Sequence, residues 1–314
     1  MQRKWYAVVI GCLLLFFFFC PGTVSGSAKE GLLLWFQVVL PALLPFMILS
    51  SVILQMGFND SISRVVSPVL TRIFGISQAG CYPVVIGMLS GYPLGAATVS
   101  EMVKRDRLSQ AEAQYILHFC NNASPMFILQ YIGIDCLGLR QPLLLLAVIY
   151  LSVWTSAALE RLLQRRVFVR PPVPSLCARQ RQSVIAILDE SILHSFTVLT
   201  RVGGYIILFS ILAGAWEQIC PFPVPFRAAL TGLLEITTGA GQIMQTPLPE
   251  QCRMILLTGC TAFGGLSSVA QSASVLGETG LSIRSYLGAK MRQAVIASGY
   301  MALLISLFGT DVLH

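Results

Sequence analysis

Four short polar stretches interrupt an otherwise apolar chain, and they hold the residue types that could do chemistry. They are Ser90-Gly91-Tyr92-Pro93-Leu94-Gly95, His118-Phe119-Cys120-Asn121-Asn122-Ala123-Ser124-Pro125, Leu234-Glu235-Ile236-Thr237-Thr238-Gly239 and Ala262-Phe263-Gly264-Gly265-Leu266-Ser267-Ser268, with Gln271 just beyond the last. In hydrocarbon an unsatisfied backbone or amide group costs several kcal/mol, so irregular polar backbone survives only inside protein or beside a water-filled cavity. Two adjacent amides and a Ser-Pro step at membrane depth therefore point to a binding site. Helix–helix glue is the alternative, because Asn and Ser also bond across packed membrane helices. The chemistry is binding rather than bond-making, since neither HExxH nor GxSxG occurs. Nine cysteines are scattered without CxxC spacing, and His118, His194 and His314 lie far apart, so metal and disulfide-framework readings lack support. The thiols read as small buried hydrophobes.

The elements that must position these stretches are membrane helices. Of 314 residues, 55% are hydrophobic and 11% charged, with a mean hydropathy of +0.74. A soluble domain carries roughly 25% charge, so the expected fold class is an all-α polytopic membrane protein whose partner is the lipid bilayer. At roughly 20 residues per span the length allows about eight to ten crossings or half-crossings, and no separate soluble domain. The net charge of +7 comes from basic residues at the ends of apolar segments, as topology signals do. There is no aromatic-interleaved basic patch, which excludes a nucleic-acid groove.

Taken in order, Arg3 and Lys4 precede an apolar run over 5–20, followed by small residues from Pro21 to Ala28. This is either a signal peptide or, as favoured here, a retained first span. Gly31 to Met56 carries Pro41 and Pro45 and predicts a kinked or broken helix. Gly57 to Gln78 predicts an amphipathic interfacial helix, and Gly80 to Met102, with Pro83 and Pro93, a discontinuous or re-entrant element. Ser109 with Glu112 is a capping box that starts a helix running into Asn121. Pro142 to Leu159 is a clean span. Residues 161–182 carry six arginines and no acid around Pro171-Pro172-Val173-Pro174, which makes them a cytoplasmic linker between a first membrane half, 1–160, and a second, 183–314. In the second half, Ser183 to Thr200 is amphipathic, Arg201 to Trp216 apolar, and Lys290 to Phe308 the last span.

The halves can be overlaid. A shift of 160 puts Glu30 on Glu190, and a shift of about 140 puts Cys120 on Cys260 and Asn121–Pro125 opposite Thr261–Gly265. Ser90–Gly95 then faces Glu235–Gly239. Two related, inverted halves with matching helix breaks are the sequence pattern of a transporter site near the bilayer midplane, where half-helix N-termini offer N–H groups to an anion.

With these four motifs in this order, the chain resembles the sporulation integral membrane protein family (YlbJ/SpoVV), which contains the nucleoside recognition (gate) domain and is distantly similar to concentrative nucleoside transporters. The resemblance implies a carrier of dipicolinic acid, moved from mother cell towards forespore across the outer forespore membrane. It implies no cofactor; the coupling ion, proton or sodium, stays open. A homo-oligomer or sporulation membrane partners are compatible with it.

On that basis Asn121, Asn122 and Ser124 would donate to a ligand carboxylate or ring nitrogen, with Ser267, Ser268 and Gln271 doing so from the second half. Ser90 and Tyr92 line the path, unless Tyr92 is an interfacial anchor. Thr237 and Thr238 flank Glu235. A carboxylate in that apolar setting serves coupling or gating, contacts substrate, or pairs with a base such as Arg201. Gly264 and Gly265 let backbone approach a ligand, or let two helices touch. Arg140 and Arg201 are counter-ions or, nearer segment ends, topology anchors. The competing functions are a nucleoside or other small-metabolite carrier and a non-transporting scaffold for spore assembly; an intramembrane enzyme is the weakest.

Overall fold

Gly and Pro punctuation decides where the apolar helices stop. A computed structural model describes residues 11, 13–56, 59–164, 183–277 and 279–310, and among them every regular element is a helix. The arginine-rich stretch 165–182 and positions 1–10 and 12 of the first apolar run lie outside the described residues.

Helix α1 (Pro21–Leu34) passes through a π-helical turn, Trp35–Val39, into α2 (Leu40–Gln55). The prolines were expected to kink or break this segment, but it stays helical. The N–H of Leu40 bonds back five residues to the Trp35 carbonyl, so the helix widens just before Pro41 would crowd the preceding turn. The small residues that suggested a signal peptide form the first turns of α1. With Gly31 they make a close seam against the long helix α8 (Val184–Ile219), where Ser27 meets Gly214 and Gly31 meets Ser210.

Helix α3 (Asn59–Phe74) meets α4 (Gln78–Ser90) at 96°. After Gly91–Pro93 the chain returns as α5 (Leu94–Lys104), giving the discontinuous element expected over 80–102. Ser109 caps α6 (Gln110–Cys120) by accepting the Glu112 N–H at 3.3 Å. The Glu112 carboxylate accepts the Ser77 N–H at 2.6 Å and so ties α6 to the α3–α4 corner. The chain is non-helical over 121–124, continues as a π-helical segment, Phe127–Cys136, and spans again as α7 (Pro142–Gln164).

After the arginine-rich stretch the described chain resumes at residue 183. Helix α8 is one continuous 36-residue helix, not the two pieces expected on either side of Arg201. A second helical hairpin follows, α9 (Val224–Leu234) and α10 (Ile236–Met244), broken at Glu235. Helices α11 (Glu250–Phe263) and α12 (Gly265–Leu276) are separated at Gly264, and α13 (Ile283–Phe308) closes the fold. It begins about two turns before Lys290, so that lysine lies inside the helix rather than at its start.

Among the described residues, five helical stretches are long and apolar enough to cross a membrane: Pro21–Ile53, Pro142–Leu163, Val184–Ile219, Glu250–Leu276 and Ile283–Phe308. The bent α3–α4 pair can make a sixth. The arms of the second hairpin and the π-helical segment are shorter. Large hydrophobics on α1, α2, α7, α8 and α13 face outward, as lipid contact requires.

Candidate functional site

The breaks converge. Tyr92 and Ser90 from the first hairpin, Ser124 from the break after α6, Glu235 and Thr237 from the second hairpin, and Gly264, Ser267, Ser268 and Gln271 from the α11–α12 break line one cavity. Val39, Leu43, Phe127, Val202 and Ile206 supply its apolar wall. Its volume is about 30 Å³, room for a few water molecules.

The break residues are placed by local chemistry. Glu235 has extended backbone and caps α10 with its own side chain, accepting the Thr238 N–H at 2.7 Å. Gly264 turns the chain in the left-handed region, φ +85°, which an L-residue enters only at a cost. Beside it, Tyr92 is held by its N–H, which donates to the Asn122 carbonyl at 2.8 Å. Thr237 accepts the Tyr131 hydroxyl on its carbonyl at 2.7 Å, and the Thr238 hydroxyl pairs with Ser210 at 2.9 Å.

Two of the lining residues, each 3% exposed, carry a buried polar atom without a hydrogen-bond partner among the described residues: the Ser90 hydroxyl and the Gln271 side-chain carbonyl. The Gln271 amide donates to Ser267 at 3.2 Å, which turns its acceptor oxygen away from that hydroxyl. Orphaned buried polar atoms are costly. Here they come from opposite halves of the chain and meet at one site.

Comparison with solved structures gives the same architecture. The chain superposes on CNTnw in an inward-facing substrate-bound state with a TM-score of 0.57 at 15% identity, covering 98% of this chain and 85% of that one. It matches a CNTnw variant in the intermediate 3 state at 0.58 with the same identity and coverage. An outward-facing variant gives 0.52 at 14% identity, covering 96% and 85%. At such identities the likeness establishes the fold, which is that of a transporter. No protein-family model matches the chain. Among curated proteins, the "Sporulation integral membrane protein YlbJ" of Bacillus subtilis (strain 168) is 27% identical over 332 aligned positions, 92% of this chain and 81% of that protein. The chain is a homologue of YlbJ. The relative and the apolar helices together show an integral membrane protein.

In this YlbJ homologue the remaining expected site residues stand just behind the cavity. The Asn121 amide donates to the Ser272 hydroxyl at 2.7 Å and the Tyr286 hydroxyl at 2.8 Å, and its oxygen accepts the Ala96 N–H at 3.1 Å. Asn122 donates to the Phe119 carbonyl at 2.7 Å and accepts from Lys290 at 2.8 Å. Both side chains bond protein rather than face the cavity, as does Thr238, while Gly265 backs onto Glu235. Arg201 does not pair with Glu235. It lines a neighbouring cavity of about 110 Å³ with His194 and Tyr205, sharing Val202 and Gln271 with the central one. It sits mid-way along α8, not near a segment end. Arg140 lies exposed between the π-helical segment and α7.

Sequence reasoning missed the network that joins α6, α7 and α13. His118 Nδ1 lies 2.8 Å from Glu160, which also accepts from Arg292 at 2.6 Å, and Arg292 Nε donates to Ser156 at 2.8 Å. Gln293 donates to the His118 carbonyl at 2.7 Å, and its own oxygen accepts from Lys290 at 3.2 Å. The signal for it was a run of Lys290, Arg292 and Gln293 placed at a helix start, where polar residues attract no notice.

Proposed function

We propose that this chain carries a small anionic metabolite, dipicolinate, from mother cell towards forespore across the outer forespore membrane, and catalyses no covalent reaction. The observation that supports the binding site is that two residues lining one cavity, Ser90 and Gln271, come from distant parts of the chain and each holds a buried polar atom without a partner. The sporulation protein it resembles supports the setting, and the transporter fold supports the mode of action. The two membrane halves, 1–160 and 183–314, joined by the linker 161–182, act as inverted repeats. Their hairpins flank the site from opposite sides, and a cavity this small must widen to admit substrate. Glu235 couples or gates, because it lines the cavity and caps α10 at once.

The test is uptake of labelled dipicolinate into proteoliposomes containing the full-length protein, with labelled uridine alongside, under proton and sodium gradients. Dipicolinate accumulation is the expected result. A neutral, hydroxyl-bearing substrate of nucleoside type is the second reading, favoured by one observation: Glu235 lines the cavity and no Lys, Arg or His does. Uridine uptake alone would establish it. Uptake of neither would point to a scaffold.

A further inference from the structure

Behind the cavity lies a buried amine whose hydrogen-bond partners are all neutral. Lys290, on α13 and 0% exposed, donates to Asn122 Oδ1 at 2.8 Å and Gln293 Oε1 at 3.2 Å, and stands 5.9 Å from the Tyr286 ring centroid. All three partners are neutral. Burying an ammonium without a counter-charge costs more than neutral acceptors return.

Among the described residues no carboxylate forms a salt bridge with it. Its other near neighbours are the Tyr286 ring on α13 and the Cys120 thiol on α6. Glu160 on α7 is engaged by His118 and Arg292. Lys290 is nevertheless close to the cavity in bonding terms. Asn122 holds its ammonium by the side chain and holds the Tyr92 N–H by the backbone carbonyl, and Tyr92 lines the cavity.

We propose that Lys290 supplies the positive charge that selects an anionic substrate, acting across Asn122 on the cavity at the tip of the α4–α5 hairpin. The substrate carboxylate is then the counter-charge that no side chain around Lys290 provides. In a dry interior such an attraction extends well beyond contact distance. The inference rests on the carrier reading above, and it explains how a cavity lined by Glu235 and no cation can favour an anion.

The test compares wild type, Lys290→Met and Asn122→Asp, full length in proteoliposomes, for uptake of labelled dipicolinate and uridine, with thermal midpoints measured on the same preparations. Lys290→Met removes the charge and keeps an unbranched stem. Asn122→Asp keeps the lysine and gives it an internal counter-charge of the same shape. Both should lower dipicolinate uptake about tenfold or more; Asn122→Asp also gives up the amide's bond to the Phe119 carbonyl, so uptake is compared at equal folded protein, fixed by the thermal midpoint. Unchanged dipicolinate uptake in both variants overturns the role of Lys290 and leaves the carrier standing. Wild-type uptake of uridine alone, or of neither compound, overturns the substrate reading and the Lys290 role with it.

Discussion

The α-carbon of Gly232 fills the space into which any side chain at Gly239 would project, so the two arms of the α9–α10 hairpin meet backbone to backbone. The first hairpin repeats the contact, with Gly87 against Gly95 and the Cys120 carbonyl. The obstruction at Gly239 is main chain, which cannot swing aside as a side chain would. Overpacking that side chains can absorb costs about 1–3 kcal/mol. Gly239→Leu is therefore expected to abolish the monodisperse peak in size-exclusion chromatography, whereas Gly241→Ala, which faces open space, should elute as wild type.

Gly264 makes a narrower prediction. Its φ of +85° costs an L-residue roughly 1–2 kcal/mol, and an added Cβ would stand 3.0 Å from the Ser268 hydroxyl and 3.2 Å from the Tyr92 ring. Gly264→Ala should lower the thermal midpoint and also shift a cavity wall, so uptake should fall in the surviving protein. A midpoint equal to wild type would contradict the assigned backbone.

The Glu160 carboxylate is the hub of the α6–α7–α13 junction. Glu160→Gln leaves Arg292 without its counter-charge and weakens the acceptor facing His118, and breaking a buried pair in this way costs about 3–5 kcal/mol. Arg292 is partly exposed, side chain 36%, so the loss should fall at the lower end of that range. Chemical denaturation in detergent, read by tryptophan fluorescence, measures it.

Glu235 separates capping from function. Glu235→Ala removes the acceptor for the Thr238 N–H and should cost about 1 kcal/mol of stability. Glu235→Gln keeps an acceptor oxygen in the same place, so its stability should stay near wild type while gradient-driven accumulation is lost and counterflow exchange persists. Equal loss of stability in both variants would make Glu235 a structural cap.

Much of this was legible in the sequence because membrane helices break only for visible reasons. Gly91-Tyr92-Pro93, Asn121–Ser124, Glu235 and Gly264 announce themselves as polar or Gly/Pro residues inside apolar runs, and they are the four breaks that converge. Composition indicated the helical membrane fold in the same way, since so few charges leave no other solvent for the chain. What could not be read was direction. A polar side chain at a break can face a ligand or a neighbouring helix, and only three-dimensional packing put Gln271 and Ser90 on the cavity wall and tied Asn121 and Asn122 to α12 and α13. The π-turn before Pro41 and the unbroken α8 were hidden for a related reason. Both lie on the α1–α8 seam, where small residues let the helices approach closely, Gly31 beside Ser210 and Ser27 beside Gly214.

The most direct test of the carrier site is a paired measurement on the double variant Ser90→Ala, Gln271→Leu. Ser90→Ala removes an unpartnered group, while Gln271→Leu removes one and also gives up the amide's bond to Ser267 at 3.2 Å, so the net change in stability should stay within about 1 kcal/mol. If those groups await a ligand, dipicolinate uptake into proteoliposomes should fall about tenfold or more in the same preparation, two lost hydrogen bonds being worth at least that. Undiminished uptake in a fully folded variant would contradict the placement of the substrate site in this cavity.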